Sequence, residues 1–599
     1  PGVNIYRTPL NGRNFEYMGE DPFLAARMCV PYIQGVQENG VAACVKHYAL
    51  NNQEHWRNHI DVQVSDRALY EIYLPAFKAA VEEGKVWSIM GAYNKVRGTH
   101  AAHNKLLNND ILKGEWKFDG CVVTDWGAAH DTYEAAMNGL DLELGTFTNG
   151  LTSNSDQGYD SYYLGSAYLR MVKEGKVPMS VVDDKASRVL RLIFRTAMNA
   201  DGQFGAMSND SHYETAYQVA TEGVVLLKNQ SVFKGESLLP LKQGKYKHIL
   251  VVGDNAVRNL MAGGGSSELK PKMVITPLEA LVKELGSDCV TFSQGYMAGR
   301  PMFDRADVIP QSVADSLYNA AIEEARKADL VIFMGGLNKN YQQDCEGEDR
   351  RAYELPYGQD RLIEGLLKAN KKLVVVLTSG NAVAMPWLKE VPSLVQSWYL
   401  GSIGGKALAD VLLGEVTPSG KLPFSYPAKL EDCPAHYYGE LSYPGDSIRQ
   451  EYKEDILVGY RWYDTKHIQP LFPFGYGLSY TQFEYGKPVI SAREMKGDDV
   501  LEIRCNVKNV GSVAGKEIVQ LYIGDEKCRV LRPVKELKDF YKVALQPGEE
   551  REVVFTVDKE DLMFFDDQLH DWVAEPGKFK AYIGSSSKDI KGVVEFELK

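Results

Sequence analysis

Gly120-Cys121-Val122-Val123-Thr124-Asp125-Trp126-Gly127 decides how this chain is read. A run of apolar and β-branched residues delivers a carboxylate, and then an aromatic plate, where a buried strand should end. In a parallel βα protein the carboxyl end of a strand is rigid and its side chains open into the pocket. Asp125 would be held there with little freedom, as a catalytic carboxylate must be. A capping role is the competing reading: Asp125 would close the N-terminus of a helix starting near Ala128 and continuing through Ala135, Ala136 and Met137. This stretch alone does not choose between the two.

Outward from it, short apolar strands alternate with amphipathic helices over residues 1–200, the pattern of a parallel βα barrel. The expected strands are Val3–Tyr6, Ala42–Lys46, Trp87–Ala92, Cys121–Thr124 and Leu140–Leu144. A closed barrel takes eight strands and typically about 250 residues, so these read as the C-terminal part of a barrel lacking about three βα units. Left open, the sheet would expose an unpaired edge. The chain opens on Pro1 without an initiator Met, a charged n-region or an apolar h-region, and reads as a processed product or a fragment.

Residues 201–215, including Asp201-Gly202-Gln203 and Ser208-Asn209-Asp210, are small and polar and suit a linker. A second α/β domain is expected over 216–430, with strands Ile249–Val252, Leu330–Met334, Lys372–Leu377 and Leu394–Ser397. Helices Ala314–Lys327 and Gln359–Ala369 lie between them, giving a sheet with helices on both faces. A connecting segment, 431–489, leads to residues 490–599, where helical periodicity gives way to alternating strands: Leu501–Val507, Ile518–Ile523, Glu552–Val557 and Lys578–Ile583. Turn signals such as Gln546-Pro547-Gly548-Glu549 separate them, as in a fibronectin type III or immunoglobulin-like β-sandwich. The fold class is therefore α/β multidomain: a partial TIM-like barrel, an α/β sandwich and a C-terminal β-sandwich.

Composition narrows the partners. A formal net charge of -13 is spread along 599 residues with no Lys/Arg tract for a phosphate backbone, so nucleic acid is not an expected partner. No apolar run approaches the roughly 18 residues of a membrane helix. The 8 cysteines show no C-x-x-C or zinc spacing and read mostly as buried thiols.

Several segments, in order, carry a resemblance. Asn11-Gly12-Arg13-Asn14-Phe15-Glu16-Tyr17 with Glu20-Asp21-Pro22, Lys46-His47-Tyr48, Met90-Gly91-Ala92-Tyr93-Asn94, Asp125-Trp126, Gly263-Gly264-Gly265-Ser266-Ser267, Pro418–Pro423 and Phe472-Pro473-Phe474-Gly475-Tyr476-Gly477 are similar to the signatures of glycoside hydrolase family 3. The match is to its β-glucosidase and β-xylosidase branch and covers almost the whole chain. The resemblance implies a retaining, exo-acting β-glycosidase that removes terminal β-D-glucose, with Asp125 as nucleophile. The branch of the family that cleaves N-acetylhexosaminides carries a Lys-His-Phe-Pro-Gly-His type run. Lys46-His47-Tyr48-Ala49-Leu50-Asn51 lacks its Pro-Gly and second His.

Retaining chemistry needs a second carboxyl roughly 5–5.5 Å from the nucleophile to protonate the leaving oxygen. Asp344-Cys345-Glu346-Gly347-Glu348-Asp349-Arg350 resembles the family's Glu-Gly-x-Asp-Arg element, which makes Glu346 the matching acid/base, with Asp344 and Glu348 as neighbouring alternatives. Like-charge crowding by those two would keep Glu346 protonated. A pyranose asks for donors around its rim and an aromatic surface beneath it: Arg13, Lys46 and His47 as donors, Trp126 and Tyr93 as surface, Met90 as filler. By resemblance these bind the terminal sugar. Glu54, Arg57 and Asp66 read as scaffold.

Neither a cofactor nor a metal is called for. An Asp that the family carries on an early barrel loop has no counterpart here. The chain alone is thus expected to be inactive or impaired without a complementing N-terminal segment, and a homo-oligomer is the other partner considered. A β-xylosidase and a noncatalytic glycan-binding protein are the alternatives. Export to the periplasm or medium is the location the family suggests.

Overall fold

The computed structural model describes residues 1–145, 162–199, 205–233, 235–302 and 305–599. Three parallel strands form the barrel sheet: β1 (Cys44–Tyr48), β2 (Ser88–Gly91) and β3 (Cys121–Thr124), in that spatial order. Single parallel bridges, Gly2 to Lys46 and Val123 to Leu142, place the Val3 and Leu140 segments at the two flanks. The expected five segments therefore lie side by side in chain order, the outer two shortened to bridges. Helices Pro22–Gln37 and Pro75–Glu82 cover the outer face, where Ala25, Cys29, Ile33, Ala76, Phe77 and Ala80 pack on Val45, Ile89 and Val122. Because successive strand residues alternate faces, the residues between those core positions point toward the barrel axis.

Asp125 does not cap the next helix. That helix is Thr132–Met137, starting later than Ala128, and its cap is Asp131, whose carboxylate accepts the Glu134 N–H at 2.8 Å. Of the linker expected over 201–215, residues 201–204 lie outside the described residues. Residues 210–215 already belong to a helix, Asp210–Gly223, capped by Asn209.

The second domain carries a six-stranded sheet. Its strands are β4 (Val225–Asn229), β5 (Ile249–Val252), β6 (Val290–Ser293), β7 (Leu330–Gly336), β8 (Leu373–Thr378) and β9 (Ser393–Gln396), in spatial order β6-β5-β7-β8-β9-β4. All neighbours are parallel except β4, which runs antiparallel to β9. Apolar side chains alternate between the two faces. Leu250, Val252, Val331, Phe333 and Val375 pack under helices Gln311–Lys327 and Gln359–Ala369, while Ile249, Val251, Ile332 and Val376 pack under Pro277–Leu285 and Gly404–Leu413. In a doubly wound sheet the chain winds outward in both directions from one pair of strands, opening a crevice at their carboxyl ends. Here that pair is β5 and β7.

The third domain is a β-sandwich. Leu501–Asn509 pairs with Glu550–Val557 in one sheet, and Gly515–Asp525 with Glu536–Leu545 and Gly577–Gly584 in the other. Leu501, Ile503, Cys505 and Val507 point inward at period two against Val519, Leu521, Phe579 and Ile583. None of the cysteines is disulfide-bonded among the described residues. No described helix is long and apolar enough to cross a membrane.

Candidate active site

Carboxyl ends of the barrel strands bring four expected residues together. His47 lies near the end of β1, Met90 within β2 with Tyr93 just beyond it, and Asp125 one residue past β3. Asp125 is 8% exposed, and its Oδ1 accepts the Tyr93 hydroxyl at 2.9 Å and the Trp126 N–H at 2.8 Å. Its Oδ2 faces His47 Nε2 at 3.4 Å. On the other side of that ring the Tyr17 hydroxyl meets Nδ1 at 3.2 Å. Burial, reinforced by Arg13, Lys46 and Arg57, drives the His47 pKa well below its usual range, so the imidazole is neutral. A neutral ring that accepts at Nδ1 carries its proton on Nε2, aimed at Asp125.

The other carboxylate arrives from the second domain. The loop after β7 crosses to the barrel, and Gly264, in the loop after β5, bridges to Cys345 within it, so the two loops at the sheet's switch point build this side together. Glu346 Oε2 accepts the Ser266 N–H at 2.8 Å, and its Oε1 lies 2.9 Å from Arg57 Nη2 and 3.5 Å from Arg13 Nη1. Two glycines permit the approach. A Cβ on Gly12 would stand 2.3 Å from the Glu348 carbonyl oxygen, and one on Gly265, at φ +106°, would stand 2.4 Å from Glu346 Cβ.

The other acids of this loop are engaged elsewhere. Asp344 is fully buried and accepts from Gly380 N–H, Asn381 Nδ2 and Tyr399 hydroxyl at 2.6–2.7 Å, while Glu348 lies 3.2 Å from His55 Nδ1. The expected like-charge crowding is therefore absent, and the electrostatics run the other way. Arg13, Arg57 and the Ser266 contacts outweigh burial and hold Glu346 down at about 2. Burial raises Asp125 despite the opposing pull of Arg13, the Trp126 N–H, Tyr93 and Arg57.

Arg57, read from sequence as scaffold, belongs to this site. Its guanidinium lies 4.5 Å above the Tyr93 ring, with Nη1 2.5 Å from Glu54 Oε2 and Nη2 on Glu346. Glu346, Arg57, Tyr93 and Asp125 thus form one chain of contacts across two domains. Arg13 Nε holds Glu16 at 2.5 Å, and Glu16 also faces Lys46 Nζ at 3.1 Å. Met90 is half-buried, and Trp126 stands 61% exposed at the rim. Asp66 pairs with Arg97, outside the site. Arg13 Nη1, His47 Nε2 and Asp125 Oδ2 are buried and form no hydrogen bond among the described residues. Two donors and an acceptor converging with no hydrogen bond made suit a hydroxyl-rich ligand.

The depressed Glu346 pKa carries a stability consequence. Its proton affinity is lower folded than unfolded, so the stabilisation is complete above the ordinary carboxyl value of 4.5 and is lost as pH falls toward about 2. Thermal midpoints of wild type and Glu346→Gln, measured across that interval, should converge as pH falls. Parallel curves would remove the ion pairs from the account.

A family model for the glycosyl hydrolase family 3 N terminal domain matches residues 1–192, one for the C-terminal domain of the same family residues 224–480, and a fibronectin type III-like domain residues 517–587. Beta-glucosidase BoGH3A of Bacteroides ovatus is 74% identical over 597 residues, covering 100% of this chain and 80% of that protein. Thermostable beta-glucosidase B of Acetivibrio thermocellus is 41% identical, covering 98% of this chain and 73% of its own length. Among solved structures, DesR, a beta-glucosidase from Streptomyces venezuelae in complex with D-glucose, superposes with a TM-score of 0.90 at 29% identity, covering 100% of this chain and 87% of that one.

Proposed function

Since the chain belongs to glycoside hydrolase family 3, we propose that Asp125 and Glu346 carry out its reaction by double displacement, Asp125 as nucleophile and Glu346 as acid/base. The protein is a β-glucosidase-like O-glycosyl hydrolase acting on a small carbohydrate substrate. It removes terminal β-D-glucose. The observation that carries the residue roles is the convergence of two carboxylates, from different domains, on buried donors that each face one of them without a hydrogen bond.

In the first step Asp125 attacks the anomeric carbon while Glu346 gives its proton to the departing oxygen. In the second, Glu346 takes a proton from water, which displaces the sugar from Asp125. Arg13, Lys46 and His47 would bind the sugar hydroxyls, with Tyr93 fixing the nucleophile, Met90 filling the wall and Trp126 roofing the mouth. Sugar hydroxyls that engage Arg13 would draw its charge from Glu346 and raise that carboxyl's proton affinity, as the first step requires. Hydrolysis of nitrophenyl β-glucoside beside the β-xyloside tests the substrate assignment. A preference for glucoside of about tenfold or more is expected, whereas a xyloside preference contradicts it.

We also propose that the Leu142 flank receives an N-terminal complementing segment. A cleft of about 570 Å³ opens there between Leu142, Leu164, Tyr168, Val182 and Val189, beside a helix, Met179–Arg195, that exposes Met179, Leu190 and Phe194. Residues 1–599 alone should turn over glucoside about a hundredfold more slowly than the same chain supplied with such a segment. Equal rates refute the segment, and dimerisation of the short chain through that face would assign it to a second copy.

A further inference from the structure

We propose that Glu54 is a positioning residue for proton transfer by Glu346: it shares the Arg57 guanidinium with that carboxylate and accepts the Gly347 N–H. It thereby sets where the Glu346 carboxyl lies and how much of the arginine's charge falls on it. The inference rests on Glu346 being the acid/base.

Glu54 sits in the turn after the Lys46-His47 strand and is 3% exposed. Its Oε2 meets Arg57 Nη1 at 2.5 Å and accepts from Gly347 N–H at 2.7 Å, while its own N–H donates to Asp349 Oδ1 at 2.8 Å. The barrel turn and the crossing loop are therefore stitched together in both directions, one residue from Glu346. The other prong of the same guanidinium reaches Glu346 Oε1 at 2.9 Å. One cation is divided between two carboxylates, so the share taken by one is lost to the other.

The charges around Glu54 support this division. Arg13 and Tyr17 face it from the N-terminal segment, Arg57 from its own turn, and Cys345 and Asp349 from the crossing loop, with Glu346 on the far prong of Arg57. Across the whole site three cations, Arg13, Lys46 and Arg57, face four carboxyl groups, Glu16, Glu54, Asp125 and Glu346. Burial, with Asp349 adding to it, pushes Glu54 up to about 7 against the pull of Arg57, Arg13 and the Gly347 N–H. Charge on Glu54 acts on Glu346 through the guanidinium they share.

Glu54→Gln keeps the acceptor for Gly347 and removes the charge, leaving Arg57 wholly to Glu346. In this variant the high-pH limb of kcat/KM should move down by about one pH unit. Loss on nitrophenyl β-glucoside at neutral pH should exceed loss on the dinitrophenyl β-glucoside, whose leaving group needs little protonation, by about tenfold. An unmoved limb with equal losses on both substrates overturns the proposal, since that is what a purely structural role gives. If Glu54→Gln does not fold, Glu54→Asp replaces it: the retained charge should hold the limb within about 0.3 pH unit while the rate falls, and a limb that moves as far as for charge removal overturns it. Glu346→Ala is assayed alongside. Absence of any leaving-group dependence in that variant removes the acid/base assignment and the proposal with it, whereas its presence with a silent Glu54→Gln removes the proposal alone.

Discussion

Asp125→Asn abolishes turnover in this account, by about ten-thousandfold or more, because an amide cannot form the glycosyl ester on which double displacement depends. The substitution is close to isosteric. Asn at this position can still accept from the Tyr93 hydroxyl and the Trp126 N–H, so the turn after β3 should keep its shape. Arg13, Lys46 and His47 are untouched, so glucose should still bind, with a dissociation constant within about threefold of wild type. The check is turnover of nitrophenyl β-glucoside beside calorimetric titration with glucose. Residual activity of several per cent contradicts the nucleophile assignment, and loss of both binding and turnover points to a collapsed site.

Glu346→Ala has the second largest expected effect, and its size depends on the substrate. Leaving groups that need a proton should lose about a thousandfold, while dinitrophenyl glucoside loses far less in the first step. Azide, which needs no general base, should then restore turnover and yield a glucosyl azide. A uniform loss without azide rescue would transfer the acid/base role away from Glu346. Asp344 and Glu348 are poor substitutes in this geometry, one buried among Gly380, Asn381 and Tyr399, the other turned to His55.

The strands were the most legible part of the chain because their signal is local. Cys121–Thr124 and Ile249–Val252 begin and end where the run of apolar residues does, and the helix Gln359–Ala369 matches its expected bounds. Val225–Asn229 and Val290–Ser293 were missed, and they occupy the two edges of the sheet. Val290–Ser293 is buried unevenly, as the exposed Thr291 and Phe292 show, so its apolar signal is weaker, whereas residues 225–227 are fully buried and follow almost directly on the helix ending at Gly223. The helix after Asp125 was placed too early because two aspartates precede it. Asp131-x-x-Glu134 was the better cap signal, and it frees Asp125 for the pocket.

Site residues were legible where a motif stands at a strand end, as for His47, Tyr93 and Asp125. Arg57 was not, because its meaning lies 289 positions away, in a carboxylate supplied by another domain. Glu54 and Arg57 fall three residues apart just beyond Lys46-His47, and that acid–base spacing was the one available hint. The charge state of Glu346 failed for the same reason. Sequence places Asp344 and Glu348 beside it, but the fold turns both away and brings in two arginines.

Trapping the covalent intermediate tests the central claim most directly. A fluorinated β-glucoside with a good leaving group, whose release from the enzyme is slow, should label the protein once. Peptide mass spectrometry should place the sugar on Asp125. A label on any other carboxylate, or rapid hydrolysis of the reagent with no labelled peptide at any time point, contradicts the account.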